Sequence, residues 1–165
     1  MFYYGARNGS IPLINFILDR LRAQGMKEEE IKNKVINGRF ERTLSTPIIR
    51  ACHSENVELV AYLIETLKAR LDILNKNDEN CLIVAVRNRN PFVVDYLVSN
   101  CKDKINIDLE CSRNGLTAFA RACLLNEFDI ANILLSKGQA NREYVNREGK
   151  SVLDLVIKAK NNLAI

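Results

Sequence analysis

One pattern recurs along this chain with a period too long for a helix or strand and too short for a domain. Three segments align without gaps: Thr46 to Cys52 followed by Glu58 to Ile64, Asn80 to Val86 followed by Phe92 to Val98, and Thr117 to Cys123 followed by Asp129 to Leu135. Ala51, Ala85 and Ala122 mark the same place in each, 34 and 37 residues apart. Eight residues after each alanine a second apolar cluster begins, at Leu59, Val93 and Ile130, and a leucine follows at twelve, at Leu63, Leu97 and Leu134. A repeat of this size is one supersecondary unit that cannot bury its apolar face alone, so successive units must stack.

The series extends beyond these copies. Ser151 to Ile157 continues it, with Val156 in the alanine place 34 residues after Ala122. A degenerate copy opens the chain, where Leu13-Ile14 and Phe16 to Leu18 match Leu59-Val60 and Tyr62 to Ile64 at an offset of 46. Within a unit the apolar spacing is helical: Leu59, Val60, Leu63 and Ile64 form one stripe. The alanines allow two helices to approach closely. Turn-rich stretches separate the units, at 75–80, 112–115 and 146–149. Gly5, Gly9, Gly115 and Gly149 are expected in turns of separate repeats.

These residues resemble the ankyrin repeat, whose signature is Thr-Pro-Leu-His-x-Ala in a unit of about 33 residues, a turn plus two helices. Thr46-Pro47-Ile48 fits it best; Thr117 and Ser151 hold the threonine place, with Gly115 and Gly149 two residues earlier. Ser136-Lys137-Gly138 resembles the turn after the second helix. The family's histidine is replaced by Ile49, Ile83, Ala120 and Asp154. The resemblance implies an all-α, ankyrin-type solenoid of stacked helix–turn–helix repeats with short hairpin-like turns. A single domain over 1–165 then holds units at 1–40, 41–74, 75–111 and 112–145, with a partial unit at 146–165. Residues 26–38 break the period. Acidic residues come first there and lysines later, which suits a helix dipole, and Gly38 is expected to cap its end. This helical insert is read either as a spacer or as a partner-binding element in its own right.

Chemistry is sparse. Cys52-His53 is the only Cys–His neighbour pair, and adjacent helix residues point about 100° apart, too far to act together. No paired carboxylates and no glycine-rich phosphate loop occur, so no catalytic residues are assigned. One histidine and five cysteines without a C-x-x-C pair exclude the usual zinc spacings, and neither a metal nor a cofactor is expected. The odd number of cysteines, most of them in apolar runs, reads as reduced intracellular thiols, with the cytoplasm the favoured compartment. No signal peptide and no run as long as a membrane span is visible. An apolar content of 47% is far above that of a disordered chain.

Function therefore points to binding. The resemblance places partners on the turn tips and on the inner face of the first helices. The tips carry Arg42, Lys76, Arg113 and Arg147 at equivalent places; the inner face carries Arg7, Arg50, Arg87, Arg89 and Arg121, with His53 beside them. The net charge is only +4, so this is a concentration of positive charge suited to an acidic protein surface or peptide, with Arg50 and Arg121 as anchors. Solvated basic residues are also common on surfaces. Two roles remain open: a stand-alone or adaptor-like monomeric interaction module, or the recognition arm of a larger enzyme or channel, which a first helix opening at Met1 and a partial last unit would fit. Nucleic acid is the weaker alternative, because aromatic residues for base stacking are lacking along the strip.

Overall fold

A computed structural model describes residues 2–161, without the side chains of Arg7 and of residues 159–161. The expectations placed on Met1, on the Arg7 side chain and on residues 162–165 lie outside it. Ten α-helices follow one another, with a short 3-10 turn over Lys102–Lys104 and no strand among the described residues. Helices α1 (Phe2–Asn8) and α2 (Ile11–Ala23) form the first pair. α3 (Glu28–Glu30) widens into a π-type turn over Ile31–Ile36. α4 (Pro47–Ala51) pairs with α5 (Val57–Ala61), which widens over Tyr62–Thr66. α6 (Cys81–Arg87) pairs with α7 (Pro91–Asn100), and α8 (Ala118–Leu125) with α9 (Phe128–Ser136). α10 (Val152–Asn161) follows.

Helices α1, α4, α6, α8 and α10 stack as an inner row, and α5, α7 and α9 as an outer row. Each element packs within its own pair or on the next pair, the nearest-neighbour arrangement of a solenoid. The marker alanines explain how close the rows can come: Ala51, Ala85 and Ala122 are completely buried, as are Leu63, Leu97 and Leu134. One core runs from Phe2 to Ala140, and a smaller one of Leu116, Ala120, Val152 and Leu155 joins α8 to α10. Phe119 and Cys123 pack against both.

Local capping sets where helices begin. Asn80, Thr117 and Ser151 accept from the backbone N–H three residues on, as do Ser10, Asn56 and Asn90 in the outer row. Asp154 accepts in return from the Ser151 backbone, closing a reciprocal cap where the family has histidine. Two caps also tie units together: Asn56 Nδ2 donates to the Gly9 carbonyl at 3.2 Å and Asn90 Nδ2 to the Ser54 carbonyl at 2.8 Å.

Two glycine expectations change. Gly5 lies inside α1 and not in a turn; a Cβ there would meet Ile14 Cγ1 at 3.2 Å, so glycine serves close packing of α1 on α2. Gly38 follows the insert helix without adopting positive φ, and a Cβ would run into the Lys34 carbonyl oxygen. The insert itself packs inward through Ile31 and Ile36, while its charges are satisfied locally, Glu30 by Lys34 at 2.9 Å and Glu28 by Arg22 at 2.6 Å.

Added volume at the alanine line should be costly. Ala85→Leu is expected to lose about 1–3 kcal/mol through overpacking, lowering Tm by about 2–4 °C per kcal/mol. Exposed Lys76→Ala should leave Tm unchanged in the same calorimetric scan; equal shifts would place the core elsewhere.

Candidate functional site

The basic tip residues stand where the units turn. Each turn is closed by its own backbone: Phe40 pairs with Ser45, Asn75 N–H donates to Glu79 O at 3.0 Å, Cys111 N–H to Leu116 O at 3.1 Å, and Asn146 N–H to Lys150 O at 2.9 Å. Asn75 and Asn146 repeat one device, each side-chain oxygen accepting two backbone N–H groups of its own turn. The turns lie side by side. Lys76 N–H reaches Thr43 O at 3.0 Å, and the Cys111 thiol reaches Asn77 O at 3.1 Å. Gly115 abuts Asn146 so closely that a Cβ would sit 2.6 Å from its Nδ2. Arg42, Lys76, Arg113 and Arg147 are therefore exposed on successive turns of one edge. Arg147 approaches Glu110 at 3.7 Å, whereas Arg42, Lys76 and Arg113 make no ion pair among the described residues.

Two rows run along the inner helices, one helical turn apart. The fourth residue after each inner-helix cap gives Arg50, Val84, Arg121 and Leu155; three residues on come His53, Arg87, Leu124 and Lys158. Arg50 lies over the Tyr3 ring, 5.3 Å from its centroid, and Tyr3 stacks on Phe40 at 4.4 Å. No carboxylate pairs with Arg50 among the described residues. His53 shares a 3.3 Å hydrogen bond between Nδ1 and Asn88 Oδ1.

Glu79 was not legible as part of this site. It is 2% exposed, directly before the Asn80 cap, and its carboxylate meets Arg87 Nη1 at 3.0 Å and Arg121 Nη2 at 3.5 Å. Asn75 Nδ2 donates to it at 2.9 Å. The available signal was register: the matching places in neighbouring units, Ser45 and Leu116, are buried, so a glutamate there must find partners inside. Arg121, with 12% of its side chain exposed, is thereby a structural partner of Glu79 and not a free anchor. Arg89 also stands apart. It lies beyond α6 in the turn to α7, with φ 57, and pairs with Glu127 at 3.1 Å.

Cys52 and His53 do not work as a pair. Hydrogen bonding to the Cys81 thiol, with burial, pushes the Cys52 thiol above its ordinary range, and His53 faces Asn88 instead. No group of metal-ligating side chains occurs among the described residues, and none of their helices is long and apolar enough to cross a membrane.

A family model described as Ankyrin repeats (3 copies) matches residues 2–110. The chain belongs to the ankyrin-repeat family. Ankyrin repeats mediate protein–protein interaction, typically as non-catalytic modules, which fits the binding role read from the residues. No curated protein matches the chain. The ankyrin architecture continues past the matched span, through the α8–α9 pair and α10.

Two outcomes test this geometry. Glu79→Gln should leave two guanidinium groups without their carboxylate and cost about 2–3 kcal/mol, below the about 3–5 kcal/mol of a fully buried pair because Arg87 is partly solvated. Urea unfolding beside exposed Glu41→Gln would show no difference if the pair contributed nothing. Burial, then the charges of Arg50 and Arg87, hold the His53 imidazole below its ordinary 6.5. The unfolded chain thus protonates first, so stability is intact above that value and declines as pH falls through it. Proton NMR of this single histidine should give a lowered midpoint that rises in Arg50→Gln; an unmoved midpoint would remove Arg50 as its neighbour.

Proposed function

We propose that this ankyrin domain binds an acidic segment of a partner protein along its tip edge and concave face, inside the cell. One observation carries the reading: among the described residues Arg42, Lys76 and Arg113 occupy successive turns without an ion pair, while Arg50 lies on the Tyr3 ring without a carboxylate. Cations fixed in a row raise the local potential, speed encounter with acidic chains and are screened by salt within about 8–10 Å. The anchors are accordingly Arg42, Lys76, Arg113 and Arg50, with Arg147, Arg87 and His53 at the margins; Arg89 and Arg121 act through their internal partners. The free thiols of all five cysteines support the intracellular assignment.

A fluorescein-labelled hexaglutamate peptide is a direct probe. Its binding should weaken with added salt, and Arg42→Glu/Arg113→Glu and Arg50→Glu should each weaken it by about threefold to tenfold. Binding indifferent to both salt and charge reversal would overturn the proposal. Tighter binding of a single-stranded oligothymidylate of equal charge would transfer the site to nucleic acid.

A further inference from the structure

The concave face changes character along the stack. Over the first two units its two rows carry Arg50, His53, Val84 and Arg87; over the last two they carry Arg121, Leu124, Leu155 and Lys158, so leucines enter only at that end. At that end the surface sinks into a cavity of about 490 Å³ between the last two tip turns and helices α8 and α10. Its floor is apolar, formed by Leu116, Leu124 and Leu155. Its rim is basic, with Arg113, Arg147 and Lys158.

The rim's acids are already occupied. Glu110 accepts from the Tyr144 hydroxyl and lies 3.7 Å from Arg147. Glu148 accepts from Lys150 at 2.9 Å. Arg113 is left without an ion pair among the described residues, and Lys158 lies beside the Glu148–Lys150 pair, touching Lys150 and bearing on the Glu148 carboxylate that Lys150 already holds. The cavity therefore offers an apolar surface beside uncompensated positive charge. Leu116 and Leu155 are nearly buried and Leu124 is half-buried, so a purely acidic chain leaves Leu124 in contact with water, and a purely apolar one leaves the cations unused. A side chain of leucine size with a carboxylate next to it satisfies both.

We propose that this cavity is the anchoring pocket for an aliphatic residue flanked by a carboxylate in the partner's segment. This rests on the acidic-segment reading and gives that segment a direction: the aliphatic residue at the α8–α10 end, the acidic stretch running towards Arg50. Inner helices pack about 8–10 Å apart, and an extended chain advances about 3.3 Å per residue. Three helix steps from α10 to α4 are then spanned by about eight residues of partner chain.

Methyl-labelled protein titrated with millimolar N-acetyl-leucine tests the pocket without the partner. Saturable shifts are expected at the Leu124 and Leu155 methyls, with N-acetyl-leucinamide binding about threefold to tenfold more weakly for lack of the carboxylate. Both rim cations are exposed, so Arg113→Gln/Lys158→Gln should fold normally and erase the preference for acid over amide while keeping the methyl shifts. Absence of saturable shifts at these leucines overturns the proposal. So does equal binding of acid and amide, or a preference that survives in the double variant. Hexaglutamate has no apolar side chain, so its salt-dependent binding could persist while N-acetyl-leucine fails, which separates loss of the pocket from loss of the acidic-segment reading.

Discussion

The close approach of one inner helix to the next is what everything else here depends on. A pair such as α6 and α7 is seventeen helical residues long, with only a turn to join it, and has an apolar face but no enclosed interior. It becomes a core only when α4 and α8 lie against its two sides. Ala51, Ala85 and Ala122 are fully buried at that contact, and the leucine line of Leu63, Leu97 and Leu134 closes the outer row in the same register. Because burial is between neighbours, each unit's stability is lent by the next, and the backbone of the tip turns is carried in strict sequence. The Lys76 to Thr43 hydrogen bond and the Gly115 to Asn146 contact are consequences of that stacking.

Stacking also brings charges together that the chain keeps far apart. Glu79 and Arg121 are 42 residues distant in sequence but share an ion pair, because a tip turn of one unit projects under the inner helix of the next. A carboxylate at 3% side-chain exposure is costly to desolvate, and two guanidinium groups with the Asn75 amide offset that cost. The arrangement divides the arginines of the concave face into two kinds. Arg87 and Arg121 are committed to Glu79, whereas Arg50 rests on Tyr3 and pairs with no carboxylate among the described residues.

Much of this was legible from periodicity, and the exceptions share a cause. The alanine and leucine lines and the placing of four basic residues on successive turns follow from counting, since equivalent places in a solenoid have equivalent surroundings. Glu79 escaped because the turn 75–80 reads as solvated polar sequence, and periodicity reports which places are apolar without saying where a turn side chain reaches. Arg89 was counted onto the inner face as if α6 continued, but the helix ends at Arg87 and a left-handed residue redirects the chain. Gly5 was read as a turn residue because glycine usually is one; in α1 it answers instead to the Ile14 side chain beneath it. In each case a contact or a backbone turn outside the periodic pattern overrode a rule read by counting.

The two kinds of arginine also differ in what they leave free to vary. Glu79 carries one negative charge and meets two positive ones, so the committed cluster still has an excess of one, and the field over the concave face stays positive without Arg50. Exposed substitutions away from special contacts usually change stability by no more than about 0.5 kcal/mol. Arg42, Lys76 and Arg113 meet that condition, whereas changes at Glu79, Arg87 or Arg121 uncover a buried charge. The basic tips are thus mechanically separate from the buried cluster around Glu79. On the proposed reading, recognition along this edge can be retuned residue by residue, with the committed cluster supplying a fixed positive background against which each tip adds its own increment.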